Sequence, residues 1–261
     1  MVRFLLTRAW EFLKLLVRLN IVKTIYFNVR AFGWRGALKL PVYIFGPVKL
    51  ADMSGKIQIE AENVKRGMIQ FGCEDENIIA TREPVRISVS GNLTFKGECK
   101  FSRAVQLLVW TNGSLEVGNN AWFGSFSKIV SFRSMTIGDN FMGSWECQLF
   151  DTDFHFIRDT ALNSIPDNTA PVSIGNQVWL GSRVTVLKGT QLPDCCIVAV
   201  GSVCNKNYTS THTSCIMLGG VPAKLLKENV EYISDKPMER KLYRYFYDSA
   251  NRDGQYTSVT Y

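Results

Sequence analysis

The chain has 261 residues, 46% of them hydrophobic, and a net charge of +7 from 30 Lys and Arg against 23 Asp and Glu. That length supports one elongated domain with appendages rather than two independent domains. Seven cysteines, an odd number without a CxxC pair, exclude a disulfide scaffold and suit a reduced, cytosolic protein; basic residues spread without zinc-finger spacing or an RNP-like aromatic motif exclude nucleic acid as the expected partner.

Residues 1–50 read as an N-terminal helical, amphipathic region. Arg3, Arg8, Glu11, Lys14 and Arg18 interrupt the apolar residues before the ~20 needed to span a bilayer, and no signal-peptide cleavage pattern follows. As a helix, residues 1–20 leave Phe4, Leu5, Leu6, Trp10, Phe12, Leu13, Leu16 and Leu19 on a broad apolar surface beside basic groups. Such a helix suits a membrane interface, giving peripheral contact at its inner face. It equally suits packing on the rest of the chain or on a neighbouring subunit, and both readings stay open.

Residues 51–228 form the main domain. Val85 to Gly118 is compatible with irregular coils. Val117, Phe123, Ile129 and Met135 then keep a six-residue spacing, Ile137 restarts it after a two-residue slip, and Gly143 and Leu149 carry it to Asp151. After an excursion, Ile174, Leu180, Val186, Leu192 and Val198 recur every sixth residue. A strand alternates with period two and a helix repeats every 3.6. A strict six demands a unit that turns a corner each time, one side of a triangular coil, as in hexapeptide β-helices. Glycines 118, 124, 138, 175 and 181 follow inward residues, where a corner needs φ > 0 or close backbone approach, and Asn119, Asn120, Asp139, Asn140 and Asn176 tolerate such turns. A β-sandwich is disfavoured, since its turns recur nearer 8–12 residues.

The repeat breaks at DTDFH, Asp151 to His155, ahead of a polar loop at 156–170. Loops interrupting a regular scaffold often carry substrate contacts. If the segment is extended, Asp151, Asp153 and His155 project to one side. The other histidine, His212 in TSTHTS, reads as structural or solvent-facing. Residues 229–261 read as a C-terminal helix and tail.

The segment IGNQVWLGSRVTVLKGTQLPDCCIVAVGSVCNKN (174–207), followed by GGVPAKLLKE (219–228), resembles the C-terminal signature of the left-handed β-helix acyltransferases of the galactoside, maltose and capsular-polysaccharide O-acetyltransferase type. The match is specific from about Asn119 to Glu228. Val200 replaces a usual alanine, Cys204-Asn205 a usual Val-Thr, and Leu192-Pro193 lacks the ideal glycine. The resemblance implies an all-β core, a left-handed parallel β-helix, with helical appendages at both ends. It also implies a homotrimer, for which Trp179, Val178 and Val184 on the outer faces would supply apolar surface.

What the resemblance implies chemically is direct transfer of an acetyl group from acetyl-CoA to a sugar hydroxyl of a cell-surface glycan or its precursor, in the cytoplasm, with no metal required. His155 matches the family's catalytic histidine. An imidazole, with an ordinary pKa of ~6.5, suits removal of the hydroxyl proton near neutrality. Asp153 or Asp151 would fix its tautomer or bind sugar hydroxyls, and which does which stays open. The donor would run along a groove between coils of two subunits, touching Trp179, Ser182, Gly201 and Ser202. Lys206 would lie near the phosphates, with Lys224 and Lys227 as weaker phosphate candidates.

Four other readings bear comparison. A γ-type carbonic anhydrase needs three histidine ligands and the chain has two. A sugar-nucleotide pyrophosphorylase would need a glycine-rich phosphate loop and a βαβ pattern that residues 1–80 lack. An N-acyltransferase on an amino sugar and a non-catalytic β-helix scaffold remain as alternatives.

Overall fold

The computed structural model describes residues 18–73, 79, 81–211, 214–247 and 256. Most of the 1–20 helix, His212 and most of the tail therefore lie outside the described residues. Up to the last coil, strands of two to five residues pair with the third strand along rather than the next, giving sheets of nine, seven and six strands. Each coil visits three faces in order. The first face runs from Val42–Ile44 through Trp179–Leu180 to Ile216–Gly219, the second from Val48–Asp52 to Val203–Cys204, and the third from Lys56–Ile59 to Gln191–Leu192. Every pairing between coils is parallel. This is the left-handed parallel β-helix that the six-residue period and the resemblance implied. The stack begins at Val42, within the segment read from sequence as the N-terminal region, because a three-residue strand carries too little periodicity to announce itself.

The interior is one continuous apolar column. Ile174, Leu180, Val186, Leu192 and Val198 are each no more than 2% exposed. The slip at Met135 and Ile137 is a single strand, Ser134–Ile137, with both residues pointing in, stacked on Leu115 and Val117 and covered by Val172 and Ile174. Gly143 occupies an inward site without a side chain because the Phe141 ring fills it. A Cβ there would stand 3.0 Å from that ring, which extends a stack of Phe71, Phe101 and Phe123 at centroid spacings of 4.6, 4.6 and 5.1 Å. At Gly118 the need is close approach, since a Cβ would stand 2.5 Å from the Gly138 carbonyl carbon. The left-handed backbone falls two residues later, at Asn120 and Asn140.

Val178 and Val184 are fully buried inside the coil, contrary to their expected place on an outer face. Each side buries the residue two before its main inward position as well, as Val178 with Leu180 and Val184 with Val186. Alternation thus persists across the corner.

A coil stack has two open ends that would template further strands. At the N-terminal end, helix α1 (Ile21–Ala37) covers the first coil, capped by Asn20, whose side chain accepts from Lys23 N at 3.1 Å. Buried Asn28 exchanges two hydrogen bonds with the Val42 backbone, and Thr24 Oγ1 accepts from Ile44 N at 3.1 Å. Side chains thereby satisfy amide and carbonyl groups that a preceding strand would otherwise meet. At the other end, Lys224–Glu228 folds back antiparallel on Ile216–Gly219. A strap through Tyr232 then leads to helix α2 (Lys236–Tyr247).

Candidate active site

The loop that breaks the repeat is pinched at its foot. Ala170 N donates to Asp151 O (3.0 Å), Thr152 bridges Thr169, and Asp153 N donates to Asn168 O (2.8 Å). Asp151 is completely buried. Its carboxylate accepts from Phe132 N at 2.7 Å, Arg133 N at 2.9 Å and Ser131 Oγ at 2.9 Å, all from the coil beneath. A carboxylate so engaged brackets two coils together.

Asp153 lies half-buried and pairs with Lys188 Nζ at 2.7 Å. Lys188 also donates to Asp167 O (3.0 Å), and Asp167 pairs with Arg133 at 3.2 Å. The Thr169 amide and hydroxyl hold the Asp167 carboxyl below the usual carboxylate range. His155 is exposed, and its imidazole has no hydrogen-bond partner among the described residues. The expected single face of Asp151, Asp153 and His155 is not realised. Phe154 adopts φ 62° between them, which turns the chain and ends the alternation on which that expectation rested.

Phe154 packs edge-on against Phe132 (5.9 Å) and Phe150 (5.4 Å), and Phe132 stacks on Trp110 at 5.1 Å. Beside them, a groove of about 360 Å³ runs along the second face between Arg86, Gln106, Lys128, Val130, Phe150 and Phe154. An apolar floor with cationic and amide walls suits a ligand carrying hydroxyl or anionic groups.

The expected donor residues divide between two corners. Trp179 lies on the first face, its Nε1 donating to Ser144 Oγ (3.1 Å) and its ring 5.4 Å from Tyr232. Gly201 stacks directly above Ser182, donating to its carbonyl at 2.9 Å, with φ 70° and open space where a Cβ would point. Ser202 is buried, and its hydroxyl is tied to Ala199 O (2.7 Å) and Gly220 N (3.1 Å), so it shapes the turn. Lys206 lies at the next corner, above the His155 loop, with its Nζ 5.3 Å from the Tyr208 ring centroid. Lys224 is exposed on the terminal strand. Within one chain, the second face separates His155 and Lys206 from Trp179, Ser182 and Gly201.

Sequence reading missed Lys188 and Tyr232. Lys188 falls where Asp151 falls one coil earlier, as the pairing of Gln148 with Thr185 implies, but the intervening loop hides that offset. Tyr232 follows the last repeat and carries no pattern.

A search against protein-family models gives no match. Among curated proteins, one assigned as a lipopolysaccharide biosynthesis O-acetyl transferase of Escherichia coli, WbbJ, is 28% identical over 56% of this chain and 77% of its own length. The galactoside O-acetyltransferase of E. coli is 26% identical over 44% of this chain and 54% of its own. Combined with a six-residue coil and an interrupting loop, these relatives show what the chain is similar to. The chain resembles the hexapeptide-repeat acyltransferases. Among solved structures, the polySia-specific acetyltransferase NeuO covers 78% of this chain and 97% of its own at 17% identity and a TM-score of 0.46.

Five thiols of this chain are unsuited to carry an acyl group. Burial pushes Cys147 up to about 11 and Cys204 to about 12, and raises Cys99 and Cys196 too. Cys195 is likewise raised to about 11 by burial and its neighbour Cys215. A thiol held protonated near neutrality is a poor nucleophile.

Proposed function

We propose that the chain is an acetyl-CoA-dependent O-acetyltransferase acting on a sugar hydroxyl of a cell-surface glycan or its precursor, with His155 as general base. The observation that carries this reading is the exposed, unpartnered imidazole on the pinched loop, one residue after Phe154, which lines the groove of the second face. The acceptor oxygen attacks the thioester carbonyl as the imidazole takes its proton. The tetrahedral intermediate then expels the CoA thiolate, which recovers a proton from the imidazolium. Asp153, held by Lys188, positions the turn carrying His155 through His155 N, which donates to Asp153 O at 2.7 Å.

A homotrimer completes this reading. The donor residues and His155 lie on opposite sides of the second face, so a neighbour's Trp179, Ser182 and Gly201 could meet this chain's His155 across a subunit groove. The loop carries Phe156, Ile157, Leu162 and Ile165, each more than 60% exposed, which is apolar surface that a neighbour would bury. The relatives' names supply the acetyl group and the glycan class.

The test is transfer of labelled acetyl from acetyl-CoA to a panel of envelope glycans and lipid-linked sugars, read by mass spectrometry. His155→Ala should lower turnover by ~10²–10⁴ while fold and assembly persist. Near-normal turnover in a folded variant would remove His155 from the mechanism.

A further inference from the structure

On the corner between the third and first faces, away from His155, three potential ligands converge from two coils and the strap. Cys195 turns one corner with φ 54°, and Cys215 opens the next coil with φ 53°, its N donating to Asp194 O at 3.1 Å. Glu231 arrives from the strap, which is tied to the same place because Val230 N donates to Cys215 O at 3.0 Å. The two Sγ atoms and a Glu231 carboxylate oxygen all lie within 4.8 Å of one another.

We propose that Cys195, Cys215 and Glu231 form a structural site for a divalent cation of the zinc class. Two sulfurs and one carboxylate oxygen select a borderline-soft metal over magnesium or calcium, which take oxygen ligands. Tetrahedral zinc with bonds of about 2.3 Å to sulfur and about 2.0–2.2 Å to oxygen needs ligand atoms roughly 3.3–3.8 Å apart, which small rotations of these side chains supply. Both thiols are half-buried and Glu231 is exposed, leaving room for water as a fourth ligand. The Cys195 thiol donates to Gln177 Oε1 of the coil below at 3.9 Å, a contact given up when the sulfur loses its proton. Binding replaces the two thiol protons, which pass to solvent, with two metal–sulfur bonds. The metal would fasten the strap to the coil stack, where Gln177 Nε2 donates to Tyr232 O at 3.1 Å and the Tyr232 ring lies against Trp179.

The test uses the full-length protein, titrated with zinc against a chromogenic chelator and, separately, with cobalt. One zinc equivalent should bind, and cobalt should develop a thiolate charge-transfer band. Cys195→Ser and Cys215→Ser should abolish that band, and Glu231→Gln should weaken zinc binding at least ten-fold. Should a serine variant fail to fold, alkylation of the native protein decides instead, since zinc should shield Cys195 and Cys215 selectively. The proposal is overturned by the absence of saturable zinc binding, by a cobalt spectrum without a thiolate band, by alkylation indifferent to zinc, or by a Cys195–Cys215 disulfide in the isolated protein.

Discussion

Replacing Asp151 by alanine separates a bracket from a catalytic partner. The carboxylate has no exposed surface and accepts three hydrogen bonds, from Phe132 N, Arg133 N and Ser131 Oγ. A hydrogen bond to a charged group contributes about 1.5–3 kcal/mol, and a buried donor left unpaired costs about 1–3 kcal/mol. The Ser131 hydroxyl can turn to another acceptor, since it also lies 2.9 Å from Ser114 O, so the two backbone amides dominate. Removing the buried charge returns part of its desolvation cost. The net loss comes to about 3–5 kcal/mol, a large share of the ~5–15 kcal/mol that holds a domain folded. For a chain of this size that lowers the melting temperature by roughly 10 °C. Asp151→Asn keeps the shape and one acceptor oxygen, so it should lose about half as much. The assay is thermal unfolding followed by circular dichroism, run beside acetyl transfer at a temperature where both proteins are folded. A variant that melts within about 2 °C of the parent yet loses turnover as His155→Ala does would refute the bracket and restore Asp151 to the imidazole.

Lys206→Ala should weaken acetyl-CoA binding about ten-fold or more in calorimetry with little change in saturated turnover, because a phosphate contact of about 1.5–3 kcal/mol remote from the reacting carbon adds uniform binding; an unchanged dissociation constant would place the donor elsewhere. In the folded protein after treatment with a chelator, a disulfide reagent should modify the half-buried Cys195 and Cys215 well before the buried Cys99, Cys147, Cys196 and Cys204, and equal rates for all would contradict the burial. Asp52, held at about 2 by the Ser90 hydroxyl and then the Ser54 amide, should titrate near that value by NMR. Its folded pKa is depressed, so its contribution to stability is full above the ordinary carboxylate range and is lost as pH falls toward 2; a midpoint near 4 would show those hydrogen bonds absent in solution.

The six-residue period was enough to determine the coil. Ile174 to Val198 repeat because each face buries one aliphatic column, and that demand is local and strictly periodic. It also marked the place where the scaffold opens, at DTDFH, since a loop is a loss of period. The arrangement at that place was decided only in three dimensions. Asp151 and His155 are four residues apart, yet one is sealed against the previous coil and the other faces solvent, because Phe154 turns with a positive φ that alternation does not foresee. Lys188 meets Asp153 only because thirty-seven residues separate equivalent positions across the loop, where the coils above it are eighteen apart. Cys195, Cys215 and Glu231 likewise come together because coil stacking and a returning strap bring distant residues to one corner. Periodicity along a chain reports which side chains point inward; what lies opposite an outward side chain depends on coil length and on segments outside the repeat.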